Sequence, residues 1–410
     1  MMNLLLVAGA LSMSFILVIL SIPAILRIAR AKQLYEPFEE RKIHKQLVPP
    51  FGGVAIFIGF LFTTIITSYQ IDFNSLKYVV VATAIMFFVG LKDDLIIISP
   101  SKKFLIQVWA ALVLIVLGDF RFTSLHGLLG IHEINYAFSV FISLFFIIAV
   151  TNAFNLVDGI DGLASGLAVV GLLVLGIWFV LTGNYGLAIV CAALIGSLLA
   201  FFLFNVFGVS NKLFMGDSGS LIIGIVISVL IIKFNEINLL QENIYVLRAV
   251  PAISLSIIIV PVIDLMRVMT IRIVNRKSPF KPDRNHIHHV LLKQIDSHLH
   301  ITLILAVVTI VMIGYSIILG YSGLSVNVQF LLVLSTAVLL SQVPSLIVSV
   351  RDSKSSKYKS TSLPVFSIHR SHSNKSYIQN AAFQQKNKRV LKKLEEKEEN
   401  DELLQIEFRS

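Results

Sequence analysis

Apolar runs long enough to cross a membrane recur along almost the whole chain up to residue 350. A transmembrane helix needs about 20 mainly apolar residues to cross a hydrocarbon core of about 30 Å. Of the 410 residues, 56% are hydrophobic and only 14% are charged, which is too apolar for a water-soluble fold of this size. The predicted fold class is therefore all-α, a polytopic integral membrane protein. Eleven spans are predicted, at approximately 4–29, 51–68, 78–91, 103–118, 137–153, 161–181, 186–206, 219–234, 246–272, 299–319 and 326–350.

The positive charges are distributed very unequally between the two sets of loops. The odd-numbered loops, with the helix edges at Lys103 and Arg272, hold 15 Lys or Arg residues, whereas the even-numbered loops hold only Lys77 and Arg121. Positively charged loops stay on the cytoplasmic side of a membrane. The sequence thus predicts an external N-terminus and cytoplasmic odd-numbered loops. This topology explains the net charge of +10 without nucleic-acid binding.

Composition also predicts how the chain is divided. Residues 1–350 form the predicted membrane domain, whereas 351–410 are polar, rich in Ser and Lys and then in Lys and Glu. We predict that this tail is cytoplasmic and disordered or partly helical. The first apolar run has no basic residue before it and is interpreted as a retained anchor. Cys191 lies alone in an apolar segment, so it can form neither a disulfide framework nor a cysteine metal site.

A pair of adjacent carboxylates follows the third span. Asp93 and Asp94 lie close to Lys92 and to Lys103, which opens the next helix. Two carboxylates at a membrane surface are costly unless they are solvated, paired or bound to a cation. The pattern therefore indicates either a functional site or charge pairing with the neighbouring lysines.

Polar residues are concentrated between the fifth and sixth spans. Asn152, Asn155, Asp158 and Asp161 occur within ten residues, and two Asp-Gly pairs allow tight turns and close backbone approach to a ligand. Asp161 is well placed as the N-cap of the sixth span, but capping needs only one such residue. The excess predicts a binding site.

Two further carboxylates have competing interpretations. Asp217 begins the eighth span in the segment Phe214-Met-Gly-Asp and could cap the helix or bind a metal ion. Phe214 could anchor the chain at the interface or stack on a base. Asp264 lies inside the ninth span, and the preferred interpretation is an ion pair with Arg267 on the same helix face.

The ninth loop combines cations, prolines and three histidines. His286, His288 and His289 could suggest zinc, but no cysteine is near, and the carboxylates of the other loops suit a hard cation such as Mg²⁺ better. The histidines and Arg284 are therefore interpreted as ligands of phosphate oxygens. Together the odd-numbered loops predict phosphoryl transfer to or from a membrane-borne substrate, without identifying the sugar, nucleotide or lipid.

In this order, the motifs resemble those of the polyprenyl-phosphate N-acetylhexosamine-1-phosphate transferases. They resemble in particular the bacterial undecaprenyl-phosphate N-acetylglucosamine-1-phosphate transferases that start O-antigen, enterobacterial common antigen or teichoic-acid assembly. The resemblance covers about residues 40–290 and includes the segment His44–Gly53, which resembles H-x(4)-P-R-x-G-G with Pro50 in place of the common Arg. The interrupted motif His286-Ile287-His288-His289 resembles this branch. The related phospho-MurNAc-pentapeptide transferase normally has three consecutive histidines.

The resemblance implies a role for each matching residue. The implied catalytic residues are Asp93, Asp94, Asp158 and Asp161, and the implied metal ligand is Asp217. The implied substrate-binding residues are Lys103 beside the acceptor, Asn155 and Phe214 in the nucleotide region, and Arg284, His286, His288 and His289 at the diphosphate and sugar.

The resemblance also implies the reaction and its surroundings. A UDP-N-acetylhexosamine would react with undecaprenyl phosphate and release UMP in a bacterial plasma (inner) membrane. The preferred donor is UDP-N-acetylglucosamine. Mg²⁺ is the implied cofactor, with Mn²⁺ as its substitute. The implied partners are these two substrates and membrane lipid, with no nucleic acid, and homodimerisation is left open. Peptidoglycan precursor transfer is the second interpretation, and a transporter or an assembly scaffold are the non-enzymatic ones.

Overall fold

A computed structural model describes residues 1–34, 48–68, 76–239, 245–276 and 286–361. Within these residues the only β-type pairing is an isolated bridge between Ser124 and Glu133, so the predicted all-α class is confirmed. The helices are α1 (Met2–Ala31), α2 (Gly52–Ser68), α3 (Leu76–Leu95), α4 (Pro100–Leu112, continued as a π-helix over Val113–Leu117), α5 (Tyr136–Val157), α6 (Leu163–Leu181), α7 (Tyr185–Val206), α8 (Gly216–Ile237), α9 (Val250–Ile257), α10 (Ile259–Val274), α11 (Ile287–Leu292), α12 (His298–Gly320) and α13 (Val326–Thr361), with a short 3-10 turn at Leu128–Gly130.

The chain divides into two units, Met1–Val350 and Arg351–Ser410. Of the second unit, only the backbone of the end of α13 is described. The predicted character of the 351–410 tail therefore lies mainly outside the described residues and stays a prediction.

Every predicted span coincides with a described helix, but the number of crossings stays a prediction. Eight described helices are long and apolar enough to cross a membrane, and α9 with α10 makes a ninth if the bent pair is one span. α2 has only 17 residues, and α3 carries Lys77 at one end and Lys92, Asp93 and Asp94 at the other.

The predicted ninth span is broken. α9 and α10 meet at an angle of 77° around Ile258. Proline cannot donate the backbone hydrogen bond to the residue four positions earlier, and its ring crowds that carbonyl. Pro261 therefore disfavours a continuous helix past Ile257. The start of α9 lies at the end of the bundle where α12 ends, because Gly320 at the end of α12 lies against Arg248 and Ala249, just before α9.

The loops sort into two ends of the bundle. The described hydrogen bonds between odd-numbered loops and their helix edges join Asp94 to Ser218, Asn155 to Asp217, Asp161 to Lys212, and Asp161 to His298. Those at the even-numbered loops join Thr123 to Glu236 and Leu129 to Asn327. The prediction that the polar motifs share one face is thus confirmed by their contacts.

α8 is the central helix of this bundle. In its apolar segment, 83% of α8 is buried inside the protein, compared with 22% of α1 and 17% of α13. The surfaces of α1 and α13 therefore mainly face lipid. α8 packs against α3 and α5. At the α3 contact, a Cβ on Gly90 would overlap the backbone of Ser218. Glycine at this position therefore allows the carboxyl end of α3 to reach the first turn of α8.

Candidate active site

Asp94 binds the first turn of α8. Its carboxylate accepts hydrogen bonds from the backbone N–H of Asp217 at 2.7 Å and of Ser218 at 3.1 Å, and from the Ser218 hydroxyl at 2.7 Å. The first N–H groups of a helix have no partner within it and favour a negative charge. Asp94 thus caps α8 from another helix. The alternative in which Asp217 is only a cap is wrong, because Asp217 lies inside the first turn, and Met215 occupies the N-cap position.

Lys103 connects two of the predicted carboxylates. Its Nζ lies 3.0 Å from Asp93 Oδ2 and also forms an ion pair with Asp217. The other oxygen of Asp217 accepts a hydrogen bond from Asn155 Nδ2 at 2.7 Å. The predicted pairing of Lys103 is therefore present for Asp93 but not for Asp94, and it extends to Asp217, 114 residues from the lysine. The structure brings together Asp93, Asp94, Lys103, Asn155 and Asp217.

Asp158 lies at the end of α5, beside this cluster. Its pKa is raised well above the ordinary value because the carboxyl is desolvated and because the charges of Asp217, Asp94 and Asp161 repel the ionised form. Among the described residues, none donates a hydrogen bond to this carboxyl. An added cation would relieve the repulsion.

The donor chemistry of this cluster fits a hard divalent cation. Among the residues that the structure describes, four carboxyl groups, those of Asp93, Asp94, Asp158 and Asp217, are accompanied by the ammonium group of Lys103. Oxygen donors with excess negative charge are what Mg²⁺ prefers. No group of three His, Cys, Asp or Glu side chains is already arranged around a metal position in the described part of the chain. Cation binding would therefore require these side chains to turn toward the ion.

Asp161 has partners that the sequence did not predict. The N-cap of α6 is Gly162, whose N–H donates to Asn205 Oδ1 at 2.6 Å, so the interpretation of Asp161 as that cap is wrong. Asp161 Oδ2 instead lies 2.7 Å from Lys212 Nζ and 2.8 Å from His298 Nδ1. Burial would raise the pKa of Asp161, but these two hydrogen bonds and the nearby positive charge hold it below its ordinary value. Asp161 is thus an ionised, doubly held side chain.

Phe214 is fixed through its backbone. Its N–H donates to the carbonyl of Pro49 at 3.0 Å, and its carbonyl accepts from the N–H of Gly52 at 2.8 Å. These partners belong to the predicted motif His44–Gly53, of which residues 48–53 are described and His44 is not. Lys212 Nζ lies 5.8 Å from the centre of the half-buried ring.

Asp264 binds the start of the histidine motif. His286 Nδ1 lies 3.0 Å from one carboxylate oxygen, and the Ile287 N–H donates to the other at 2.8 Å. The preferred interpretation, a pair between Asp264 and Arg267, is wrong. Arg267 extends toward α13, where its guanidinium donates to the Ser345 hydroxyl at 2.7 Å.

The histidine motif packs against the loop that contains Asp158. A Cβ on Gly159 would overlap Nε2 of His288, which is buried. The rings of His288 and His289 lie 4.4 Å apart between centroids. Arg284 lies outside the described residues, so its predicted role stays a prediction.

Three residues at this end were missed from the sequence. Ser218 binds Asp94, whereas Lys212 and His298 bind Asp161. Lys212 had a signal, because it is the only basic residue in the predicted loop 207–218. His298 had none beyond its position at the edge of an odd-numbered loop.

Similarity to characterised proteins identifies the family. The family described as glycosyl transferase family 4 matches residues 76–235. The undecaprenyl-phosphate alpha-N-acetylglucosaminyl 1-phosphate transferase of Escherichia coli (strain K12) is 33% identical over 297 residues, which cover 71% of this chain and 78% of the relative. The chain belongs to the polyprenyl-phosphate N-acetylhexosamine-1-phosphate transferase family. Among other relatives of this transferase, the Yersinia pestis enzyme of the same name is 33% identical over 62% of this chain and 68% of its own. A probable undecaprenyl-phosphate N-acetylglucosaminyl 1-phosphate transferase of Bacillus subtilis (strain 168) is 31% identical, over 68% and 75%.

Membership confirms the resemblance seen in the motifs and the predicted class of enzyme. The matched region of the transferase contains the cluster around Lys103, the loop with Asp158 and Asp161, and most of α8.

Proposed function

We propose that this transferase moves N-acetylglucosamine 1-phosphate from UDP-N-acetylglucosamine to undecaprenyl phosphate and releases UMP. The observation that carries the proposal is the cluster of Lys103 with Asp93, Asp94 and Asp217 at one end of an apolar helix bundle. A lysine held between carboxylates at a membrane surface can bind a phosphate that is attached to a lipid. The curated relatives are named for this acceptor and this sugar phosphate.

The site residues divide between the two substrates. We assign the acceptor phosphate to Lys103 with Asp93 and Asp94. We assign the uracil base to the ring of Phe214, which comes three residues before Asp217 in sequence and whose backbone is held by Pro49 and Gly52. The diphosphate and sugar are assigned to the histidine motif with Arg284. The excess of Lys and Arg in the odd-numbered loops supports a cytoplasmic position for this end.

Mg²⁺ is the proposed cofactor, with Asp217 as a ligand and Asp158 as a neighbouring carboxyl. When bound, the ion would neutralise the charge of the diphosphate and of the departing UMP. Lys103 supplies a second positive charge at the same place, and Asn155 orients Asp217. Most of the catalysis would then come from positioning and electrostatic stabilisation.

Transfer is proposed to be a single displacement. The second pKa of a phosphate monoester is about 6, so the acceptor is already mainly a dianion at pH 7. One of its oxygens would bond to the β-phosphorus as the bond from that phosphorus to the oxygen of UMP breaks. Both oxygens of Asp94 already accept hydrogen bonds from the start of α8, which leaves that carboxylate poorly placed as a nucleophile. Enzyme given UDP-sugar labelled in the sugar, without lipid, should retain no covalent label, and a labelled aspartate would contradict this route.

The experiment that tests the function uses purified protein with undecaprenyl phosphate, Mg²⁺ and a panel of UDP-sugars. UMP release should require the lipid and should be fastest with UDP-N-acetylglucosamine. Asp217→Asn, which keeps the size of the side chain but loses its charge, should remain folded and lose Mg²⁺-dependent transfer. A preference for UDP-MurNAc-pentapeptide would instead favour peptidoglycan precursor synthesis. Absence of UMP release with every sugar would favour the transporter or the scaffold.

A further inference from the structure

We propose that Lys212 and His298 are positioning residues for the nucleotide. With Asp161 they form what we call the Asp161 anchor, which comprises Asp161, Lys212 and His298 and holds the base-stacking ring of Phe214 in place. This inference rests on the proposed function, because it takes Phe214 as the surface on which uracil stacks.

The anchor joins three parts of the chain that are far apart in sequence. Asp161 lies in the loop between α5 and α6, Lys212 in the loop between α7 and α8, and His298 opens α12. The two partners are 51 and 137 residues from Asp161, yet both lie within 2.8 Å of the same oxygen. The three side chains are only 10–18% exposed. A carboxylate so poorly solvated is destabilised when either partner is removed, so the three loops are held together as a unit.

Lys212 links this unit to Phe214. The ammonium that binds Asp161 also lies 5.8 Å from the ring centroid, within the range of a cation–π contact. The backbone of Phe214 is already fixed by Pro49 and Gly52, so a contact with the ring acts on the rotation of the side chain. A cation held over the ring restricts that rotation. A base that stacks on the ring then finds it already in position and does not have to order it on binding.

The anchor and the reacting end of the site have different ion-pair partners. Among the described contacts, Asp161 is held by Lys212 and His298, whereas Lys103 forms ion pairs with Asp93 and Asp217. Loss of the anchor should therefore weaken binding of the nucleotide without displacing the acceptor phosphate. This division gives a kinetic signature that general destabilisation would not produce.

The test compares Lys212→Met and His298→Gln with the wild-type enzyme. Lys212→Met keeps the apolar stem and removes the charge. Because the ring of Phe214 is no longer held in place, we expect KM for UDP-N-acetylglucosamine to rise ~10-fold in each variant, which corresponds to about 1.4 kcal/mol of lost binding. We expect kcat to change less than about twofold, because no contact made only in the transition state is lost. The KM for undecaprenyl phosphate should also change less than about twofold, because the acceptor site is unchanged. UMP binding, measured by equilibrium dialysis, should weaken by the same factor as the nucleotide KM.

Matched substitutions separate positioning from loss of structure. Lys212→Arg retains the charge and should restore KM to near the wild-type value. Lys293→Met and His300→Gln change exposed side chains close to His298 in sequence and should have no effect. If Lys212→Met does not fold, His298→Gln with the UMP measurement carries the test.

The outcomes distinguish this inference from the proposed function. The function fails if the wild-type enzyme does not transfer N-acetylglucosamine 1-phosphate. The anchor fails if the wild-type enzyme is active but the variants lose kcat with unchanged KM, or if both KM values and the melting temperature change together. A rise confined to the nucleotide KM, reversed by arginine, supports it.

Discussion

Asp264 determines which nitrogen of His286 carries a proton. A carboxylate can only accept hydrogen bonds, so the Nδ1 that lies 3.0 Å from Asp264 must be the protonated nitrogen. In a neutral ring, Nε2 then presents a lone pair. The second carboxylate oxygen accepts from the Ile287 N–H, which fixes the backbone of the motif. Asp264 thus positions His286 through both its oxygens.

Replacement of Asp264 by Asn should reverse this arrangement. The amide oxygen can still accept from the Ile287 N–H, and the amide nitrogen would then donate to Nδ1 of His286, which transfers the ring proton to Nε2. We expect kcat to fall by about 10-fold or more with a small change in melting temperature, since orientation is kept and the tautomer is wrong. Asp296→Asn, at an exposed position, is the control. Unchanged kcat in Asp264→Asn would limit Asp264 to a packing role.

The two aspartates of the α5–α6 loop should respond differently to pH. The raised pKa of Asp158 means that its carboxyl keeps a proton to higher pH than an ordinary aspartate, whereas the lowered pKa of Asp161 favours the ionised form. A bound cation favours the ionised form, so Mg²⁺ binding should release protons, and Mg²⁺ affinity should rise as pH increases toward the raised pKa. Calorimetry in buffers of different ionisation enthalpy measures this release. It should decrease in Asp158→Asn, where the raised pKa values of Asp94 and Asp217 still allow some release, and should be unchanged in Asp161→Asn; the opposite pattern would contradict the assignment.

The sequence located most residues of the site but not their partners. Asp93, Asp94, Asn155 and Asp217 were recognisable because charged or amide side chains at the end of an apolar span are unusual. Their pairing depends on which helix ends meet. The hydrophobic pattern within a single helix does not specify this. The contact of Asp161 with His298 spans 137 residues, and the contact of Asp264 with His286 was hidden by a nearer candidate, Arg267.

At the scale of helices, hydrophobicity predicted where each span lies because lipid requires long apolar segments with internally paired backbones. It did not predict the bend between α9 and α10. Pro261 was a visible cause, but proline is tolerated in membrane helices, so the residue alone does not specify a 77° break. The π-helical end of α4 over Val113–Leu117 was likewise unpredictable from an apolar run.

The close contact between α3 and α8 should make Gly90 intolerant of substitution. In Gly90→Ala the new Cβ would overlap the backbone of Ser218, which cannot move aside as a side chain can. Forced overpacking costs about 3 kcal/mol, so we expect a lower melting temperature in detergent. We also expect loss of transfer, because Asp94 would be displaced from α8.

Gly314→Ala in α12 is the matched control for Gly90→Ala. Its Cβ would meet no atom within 4 Å, and alanine favours helix by about 1 kcal/mol. Equal stability of the two variants would refute the close contact.

At the scale of the whole molecule, the end opposite the site has its own ordered polar layer. Glu236 at the end of α8 accepts hydrogen bonds from the backbone and hydroxyl of Thr123, and Lys233 lies 4.6 Å from the centre of the Phe120 ring. Arg248 precedes α9 and so also belongs to this end. Lys233 and Arg248 thus add two cations to the predicted external side. The odd-numbered loops still hold most of the positive charge, so the predicted orientation is unchanged.

Cysteine labelling should show which end of the bundle faces the cytoplasm. Val209, between α7 and α8, is 80% exposed at the site end, and Leu129, between α4 and α5, is 79% exposed at the other. In intact cells a membrane-impermeant maleimide should label Leu129→Cys, whereas Val209→Cys should react only after permeabilisation, because the positively charged loops remain inside. Lys357→Cys should behave like Val209→Cys, since four crossings separate the two positions when the bent pair counts as one. The buried Cys191 should give little background. Labelling of Val209→Cys from outside would place the active site on the external face, and labelling of Lys357→Cys alone would show that the number of crossings after α7 is odd.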